Sequence, residues 1–180
     1  MCTVHPIHST ATPEFHLAWQ LYEEAFPTEE RRTLEQQEQL FLNHGYRFLS
    51  IVCQGEFAGF FGLWQFPRFT FLEHFAVQPS QRGKGAGTKA LTALLEISKQ
   101  PMILEVEPPF TQEAQRRINF YERLGFHLND FEYWQPPYEE EKPWVRLQLM
   151  SSLRPLTSSE FKSVRNQLYA SVYNKGEGIL

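Results

Sequence analysis

Gln81-Arg82-Gly83-Lys84-Gly85-Ala86-Gly87 lies between an apolar, β-branched stretch ending at Val77 and an Ala/Leu-rich run that reads as helix from about Thr88. Glycines here let consecutive backbone N–H groups turn toward one point, and the helix start adds unpaired donors and partial positive charge. The loop therefore reads as a phosphate cradle whose expected guest is a pyrophosphate. A Walker loop ends in Gly-Lys-Ser/Thr, whereas the order here is Gly87-Thr88-Lys89. The dinucleotide fingerprint is closer, because Gly85, Gly87 and Ala90 satisfy G-x-G-x-x-A and Glu105 lies twenty residues beyond Gly85. Against it, the strand ending at Val77 is too far upstream for a tight strand-to-helix turn, and antiparallel strands precede it.

Outward from the loop, the periodicity defines the rest. Residues 13 to 24 place Phe15, Ala18, Trp19 and Tyr22 at helical spacing behind Pro13. A second helix is expected from a Thr28 cap to near Gly45. The period then changes: residues 46 to 52, 56 to 65 and 69 to 77 read as a three-stranded antiparallel meander with turns at Gln54-Gly55 and Phe66-Pro67-Arg68. After the loop, Ala90, Leu91, Leu94 and Leu95 mark a buried helix face, and residues 101 to 106 a short buried strand. Thr111 to Leu124 form the next helix, stopped by Gly125. Strands near 126 to 134 and 144 to 150 close the sheet, with residues 135 to 143 as a long loop. Thr157-Ser158-Ser159-Glu160 has the form of a capping box before an amphipathic helix to Tyr173, and Asn174 to Leu180 read as a frayed end.

At 180 residues the chain can bury a core without metals or disulfides. Cys2 and Cys53 match neither a metal knuckle nor a disulfide framework and read as ordinary side chains of a reducing compartment. The start lacks a basic region followed by an apolar core, and no apolar run reaches membrane length, so a soluble cytoplasmic protein is expected, with no membrane partner. A net charge of -4 argues against a nucleic-acid partner, and a cationic or amine-bearing partner fits better. Six histidines, His74 and His127 among them, show no metal-ligand spacing and read as structural, so no metal is expected.

Arg82-x-x-Gly85-x-Gly87 just after a strand resembles the acetyl-coenzyme-A-binding motif of the GNAT N-acetyltransferase superfamily. Asn119-Phe120-Tyr121-Glu122-Arg123-Leu124-Gly125-Phe126 resembles that family's second signature, and Leu104-Glu105-Val106 its intervening strand in members with a glutamate there. Order and spacing agree over roughly residues 1 to 150. The resemblance implies an α/β (α+β) fold: a mixed, mostly antiparallel sheet of six to seven strands flanked by helices. The acetyltransferase domain would span 1–151, with 152–180 a helical extension packed on it or serving a homodimer.

What the resemblance further implies is a sheet that splays between the strand ending at Val77 and the strand 101 to 107, with acetyl-coenzyme A as co-substrate in the opening. The backbone of Phe75, Ala76 and Val77 would bind the pantetheine amides, and Arg82, Gly83, Lys84, Gly85, Ala86, Gly87 and Thr88 the pyrophosphate. Tyr121 is the acid expected to protonate the departing sulfur. Glu105 would take the amine's proton, with Glu73 as the competing base; either serves equally as a buried, hydrogen-bonded carboxylate. Glu73 shares strand parity with Phe71, Phe75 and Val77, a charge among aromatics that suggests a pocket. The family often carries an asparagine two helical turns before the tyrosine; here that position is Ala114, and Pro108-Pro109-Phe110 lengthens the connection. The acceptor, a small-molecule or peptide amine, would meet Glu29, Glu30, Trp134, Tyr138 and Glu139-Glu140-Glu141. The alternative is a coenzyme-A-binding sensor that keeps the fold without transfer.

Overall fold

The computed structural model describes residues 1–176; of the end expected to fray, residues 177–180 lie outside the described residues. Along the chain run β1 (Cys2–Pro6), α1 (Pro13–Ala25), a 3-10 turn (Thr28–Glu30), α2 (Leu34–Leu40), β2 (Tyr46–Cys53), β3 (Glu56–Gln65), β4 (Thr70–Val77) and a second 3-10 turn (Pro79–Gln81). There follow α3 (Ala86–Ile97), β5 (Met102–Val106), α4 (Gln112–Glu122), β6 (Phe126–Leu128), β7 (Tyr133–Gln135), β8 (Val145–Ser152) and α5 (Ser158–Ser171). The elements fall into two compact units, Met1–Met102 and Ile103–Leu180.

In the first unit β1 to β4 pair antiparallel in sequence order. The strands β2 to β4 follow the expected meander, but β1 was not legible, because five residues with only Val4 and Cys2 apolar show no buried face. Its register sets Cys2 opposite Cys53 with Cα atoms 4.2 Å apart, and the two are joined as a disulfide. That corrects the reading of both as ordinary side chains: sequence spacing hides a bridge that only strand pairing creates. The helix α1 starts on a Thr12 cap that accepts from the Phe15 N–H. Its rings reach the meander, Phe15 lying 5.9 Å from Phe48 and Tyr22 6.0 Å from Phe60. Thr28 opens only the 3-10 turn; the true cap of α2 is Thr33, in a reciprocal box with Gln36.

One irregularity governs the site. Leu63 pairs with Leu72 but Gly62 pairs with His74, so β4 carries Glu73 as an extra residue. Past this bulge the side-chain alternation is reset. Phe71 falls in the row of His74, while Phe75 and Val77 fall in the row of Leu72, and the parity that aligned Glu73 with Phe71, Phe75 and Val77 does not hold.

In the second unit β8 pairs antiparallel with β5, β6 and β7. The expected strand 126–134 is interrupted because Asn129 turns inward, donating to the Leu149 carbonyl and Ser151 Oγ and accepting from the Leu156 N–H. The helix α5 begins on the expected capping box of Thr157 and Glu160. A two-pronged contact from Arg154, together with the Thr157 backbone N–H, pulls the Glu160 carboxyl down to about 2. Its apolar stripe is spent within the unit: Phe161, Val164, Leu168 and Val172 are buried, and the Phe161 ring lies 4.7 Å from Phe131. Among the described residues no helix is long and apolar enough to cross a membrane, and no group of three or more His, Cys, Asp or Glu could hold a metal ion.

Candidate functional site

The glycine loop forms as its composition requires. Gly83 and Gly85 stand at φ 74° and 76°, a left-handed backbone that side chains with a Cβ disfavour. Gly85 caps α3 without any side-chain hydrogen bond, and the helix begins at Ala86, two residues before the expected start. The N–H groups of Ala86, Gly87 and Thr88 occupy the first helical turn, which has no intrahelical acceptors for them. Gly83, Lys84 and Gly85 are exposed beside them, so an incoming anion can reach these donors. Arg82 is committed in part to the loop itself: its Nε donates to the Val77 carbonyl at 2.9 Å, tying the end of β4 to the start of the cradle. Upstream, β3 presses on β4 so closely that a Cβ at Gly59 would sit 2.1 Å from the Ala76 carbonyl oxygen.

The bulge turns Glu73 away from the row of Phe75 and into a buried polar knot. Both its oxygens are 2.7 Å from the Arg32 guanidinium, in a two-pronged pair with side-chain exposures of 4% for Arg32 and 0% for Glu73. Trp64 Nε1 adds a donor at 2.8 Å, and the Arg32 guanidinium lies 5.9 Å from the Trp64 ring centre. The Arg32 N–H donates to the Tyr22 hydroxyl at 2.7 Å, and His74 Nε2 donates to the Glu30 carbonyl at 2.9 Å. Together they pin the segment between α1 and α2 onto β4. Burial holds the His74 imidazole down to about 4, so it is neutral at physiological pH. Nothing in the sequence marked Arg32 as the partner of Glu73; the two are 41 residues apart and meet only through the bulge. On the outer side of α1, Phe15, His16, Trp19, Glu23 and Leu34 line an open cleft of about 440 Å³.

In the second unit the register separates the candidate residues by face. Glu105, opposite Leu149, shares a face with Tyr133 and Gln135 through the pairing of Tyr133 with Leu147. Tyr133 and Tyr173 each donate a hydroxyl hydrogen bond of 2.6 Å to the Glu105 carboxylate, to Oε2 and Oε1 respectively. Gln135 Nε2 lies 3.2 Å from both Glu105 Oε1 and the Tyr173 hydroxyl. Among the described residues Gln135 Oε1 is buried without a partner, a cost of about 1–3 kcal/mol. Burial, then the neighbouring Glu105 charge, raises the Tyr133 hydroxyl well above its ordinary value, so it stays a donor.

Tyr121 lies on the other side of the same strands. Its ring meets Phe126 at 5.6 Å, and Phe126 belongs, through Ser152 and Met150, to the face of Leu104 and Val106. Burial pushes its phenol up to about 12, which keeps the proton on oxygen at any working pH. Of the acceptor-side candidates, the Trp134 carbonyl accepts from the Tyr169 hydroxyl, the Tyr138 ring lies tilted 5.3 Å from that of Tyr173, and Glu139 pairs with Lys142 at 3.4 Å. Glu29 and Glu30 lie in the 3-10 turn before Arg32, where the Glu30 carbonyl accepts from His74 in the knot. Sequence reasoning missed Tyr133, Gln135 and Tyr173 as partners of Glu105. Only the alternation of Tyr133 and Gln135 in one short strand could have signalled two of them.

The Gly87-Thr88-Lys89 order does not fit a Walker loop, and the antiparallel strands β1 to β4 ahead of it do not fit a dinucleotide fold. The sequence pattern of the acetyltransferase (GNAT) family matches residues 13–126, and the chain belongs to that family of acyltransferases. It is 34% identical to a protein of Bacteroides thetaiotaomicron assigned to the same family, whose structure superposes with a TM-score of 0.89 over 95% of this chain and 98% of that one. It is 25% identical, over 64% of its length and 68% of the relative's, to YjbC of Bacillus subtilis strain 168, assigned to the acetyltransferases. A GNAT acetyltransferase of Elizabethkingia anophelis, solved with acetyl-coenzyme A bound, shares the fold at 15% identity and a TM-score of 0.57, covering 84% of this chain and 97% of that one.

Proposed function

We propose that the protein transfers the acetyl group of acetyl-coenzyme A to the primary amine of a small molecule or peptide, by direct attack within a ternary complex. The observation that carries this reading is the α3 start. Two left-handed glycines and a cap without a side chain leave the first-turn N–H groups to an anion, within the family's own Arg82-x-x-Gly85-x-Gly87 pattern. In this reading residues 82 to 88 hold the pyrophosphate, and the backbone of Phe75, Ala76 and Val77 the pantetheine amides.

The chemistry then needs a proton acceptor for the amine and a donor for the thiolate. The amine nitrogen attacks the thioester carbon, the C–N bond forms and the C–S bond breaks; the ammonium proton passes to Glu105 and the sulfur takes the proton of Tyr121. Glu73 is assigned a different part. Its two oxygens are engaged by Arg32 and Trp64, and its role is to hold the α1–α2 segment rather than to accept a proton.

Calorimetric titration tests the donor: acetyl-coenzyme A is expected to bind well above any affinity for NAD, and the reverse order overturns the assignment. An amine panel followed by free-thiol release tests the transfer. Turnover is expected with at least one amine and falls about 10²-fold in Tyr121→Phe. Binding without turnover on any amine would move the reading to a coenzyme-A sensor.

A further inference from the structure

We propose that the C-terminal helix completes the catalytic centre: Tyr173, with Tyr133 and Gln135, are positioning residues that hold the Glu105 carboxylate in its working orientation. The proposal rests on Glu105 being the proton acceptor.

Three donors from two separate elements converge on one partly buried carboxylate. Tyr133 and Gln135 come from β7, and Tyr173 from the segment just after α5, past its Val172 cap. The donors are themselves immobile, with exposures of 1% for Tyr133 and 4% each for Gln135 and Tyr173. The chain end that delivers Tyr173 is tied down by its backbone. Tyr173 N–H donates to the Leu168 carbonyl at 3.2 Å and Lys175 N–H to the Tyr169 carbonyl at 2.7 Å, with Asn174 between them at φ 53°. Gln135 leaves its own oxygen without a partner while its nitrogen reaches both Glu105 and Tyr173, a choice that packing alone does not explain. All three donors are neutral. They orient the carboxylate and favour its charged form, the form from which a base must start. Tyr169, on α5, is electrostatically coupled to Glu105, but its hydroxyl donates to the Trp134 carbonyl and not to the carboxylate.

That neighbour supplies the control. The probe is acetyl-coenzyme A with water as nucleophile: a C–O bond forms, the C–S bond breaks, a water proton goes to Glu105 and the sulfur leaves as thiol with the proton of Tyr121. Thiol release by the full-length protein is compared for the wild type and for Tyr173→Phe, Tyr133→Phe, Tyr169→Phe and Glu105→Gln, alongside melting temperatures. Tyr173→Phe and Tyr133→Phe are each expected to lower kcat about tenfold, as for loss of one hydrogen bond to a charged group, with the KM for acetyl-coenzyme A unchanged. Tyr169→Phe loses an equivalent α5 phenol and is expected to melt earlier without slowing release. If Glu105→Gln is inactive while Tyr173→Phe and Tyr133→Phe keep wild-type kcat, the positioning role is overturned and Glu105 stands as the base. If Tyr173→Phe and Tyr169→Phe slow alike, α5 acts only through packing and the proposal fails. A fully active Glu105→Gln, or a wild type no faster than uncatalysed hydrolysis, removes the base and the proposal with it.

Discussion

Two carboxylates, one in each unit, are held in opposite ways. Glu73 is closed off by a cation: Arg32 meets both its oxygens, and the pair is sealed from water. Glu105 accepts from two phenols and an amide and stays partly exposed. A carboxylate neutralised by an arginine fixes structure, because removing either partner strands a buried charge. A carboxylate met by neutral donors is oriented in its charged form, the form from which a base must start. The sequence offered both glutamates as rival bases on neighbouring strands, and the donors they meet differ: an arginine and an indole for Glu73, two phenols and an amide for Glu105.

The contrast can be broken most forcefully at the first site. Glu73→Gln is expected to lose about 3–5 kcal/mol of stability in urea titrations, since Arg32 stays buried without its counter-charge. Removing both charges in Arg32→Met/Glu73→Leu is expected to recover much of that loss. No recovery would mean that the pair does more than compensate its own burial. Acid reads the same knot through His74. Its folded value near 4 lies below the unfolded 6.5, so between these pH values the unfolded chain binds the extra proton. Stability is therefore expected to be level in His74's contribution above pH 6.5 and to fall by up to about 3 kcal/mol as pH drops to 4. His74→Gln should flatten that limb in urea midpoints taken at several pH values. At the second site the effect moves from stability to rate. Glu105→Gln is expected to cut turnover about 10²-fold or more, with a smaller loss of stability than Glu73→Gln. The reverse pattern would exchange the two assignments.

The glycine loop was legible because its signals are local: glycines, a following helix and a preceding strand are all read within a dozen residues. The same holds for the Thr12 and Thr157 caps, whose partners sit three residues away. What escaped depends on contacts distant in sequence. The bulge at Glu73 has no residue signature, and it inverted the side-chain row inferred from simple alternation. The box at Thr33 was passed over for Thr28 because Pro27-Thr28 looked like a start, while Gln36 supplies the second half of the better one. Tyr173 lies 68 residues from Glu105, in a tail read only as an amphipathic helix. Periodicity tells which face is buried, not which hydroxyl it delivers.

The bond between Cys2 and Cys53 makes residues 2 to 53 a closed ring. A single protease cut anywhere between the two cysteines opens that ring without releasing a fragment. The nicked chain keeps its full mass on a denaturing gel until a reductant is added, and only then separates into two pieces. Clipping in the α1–α2 segment would go unseen in any preparation analysed without reductant.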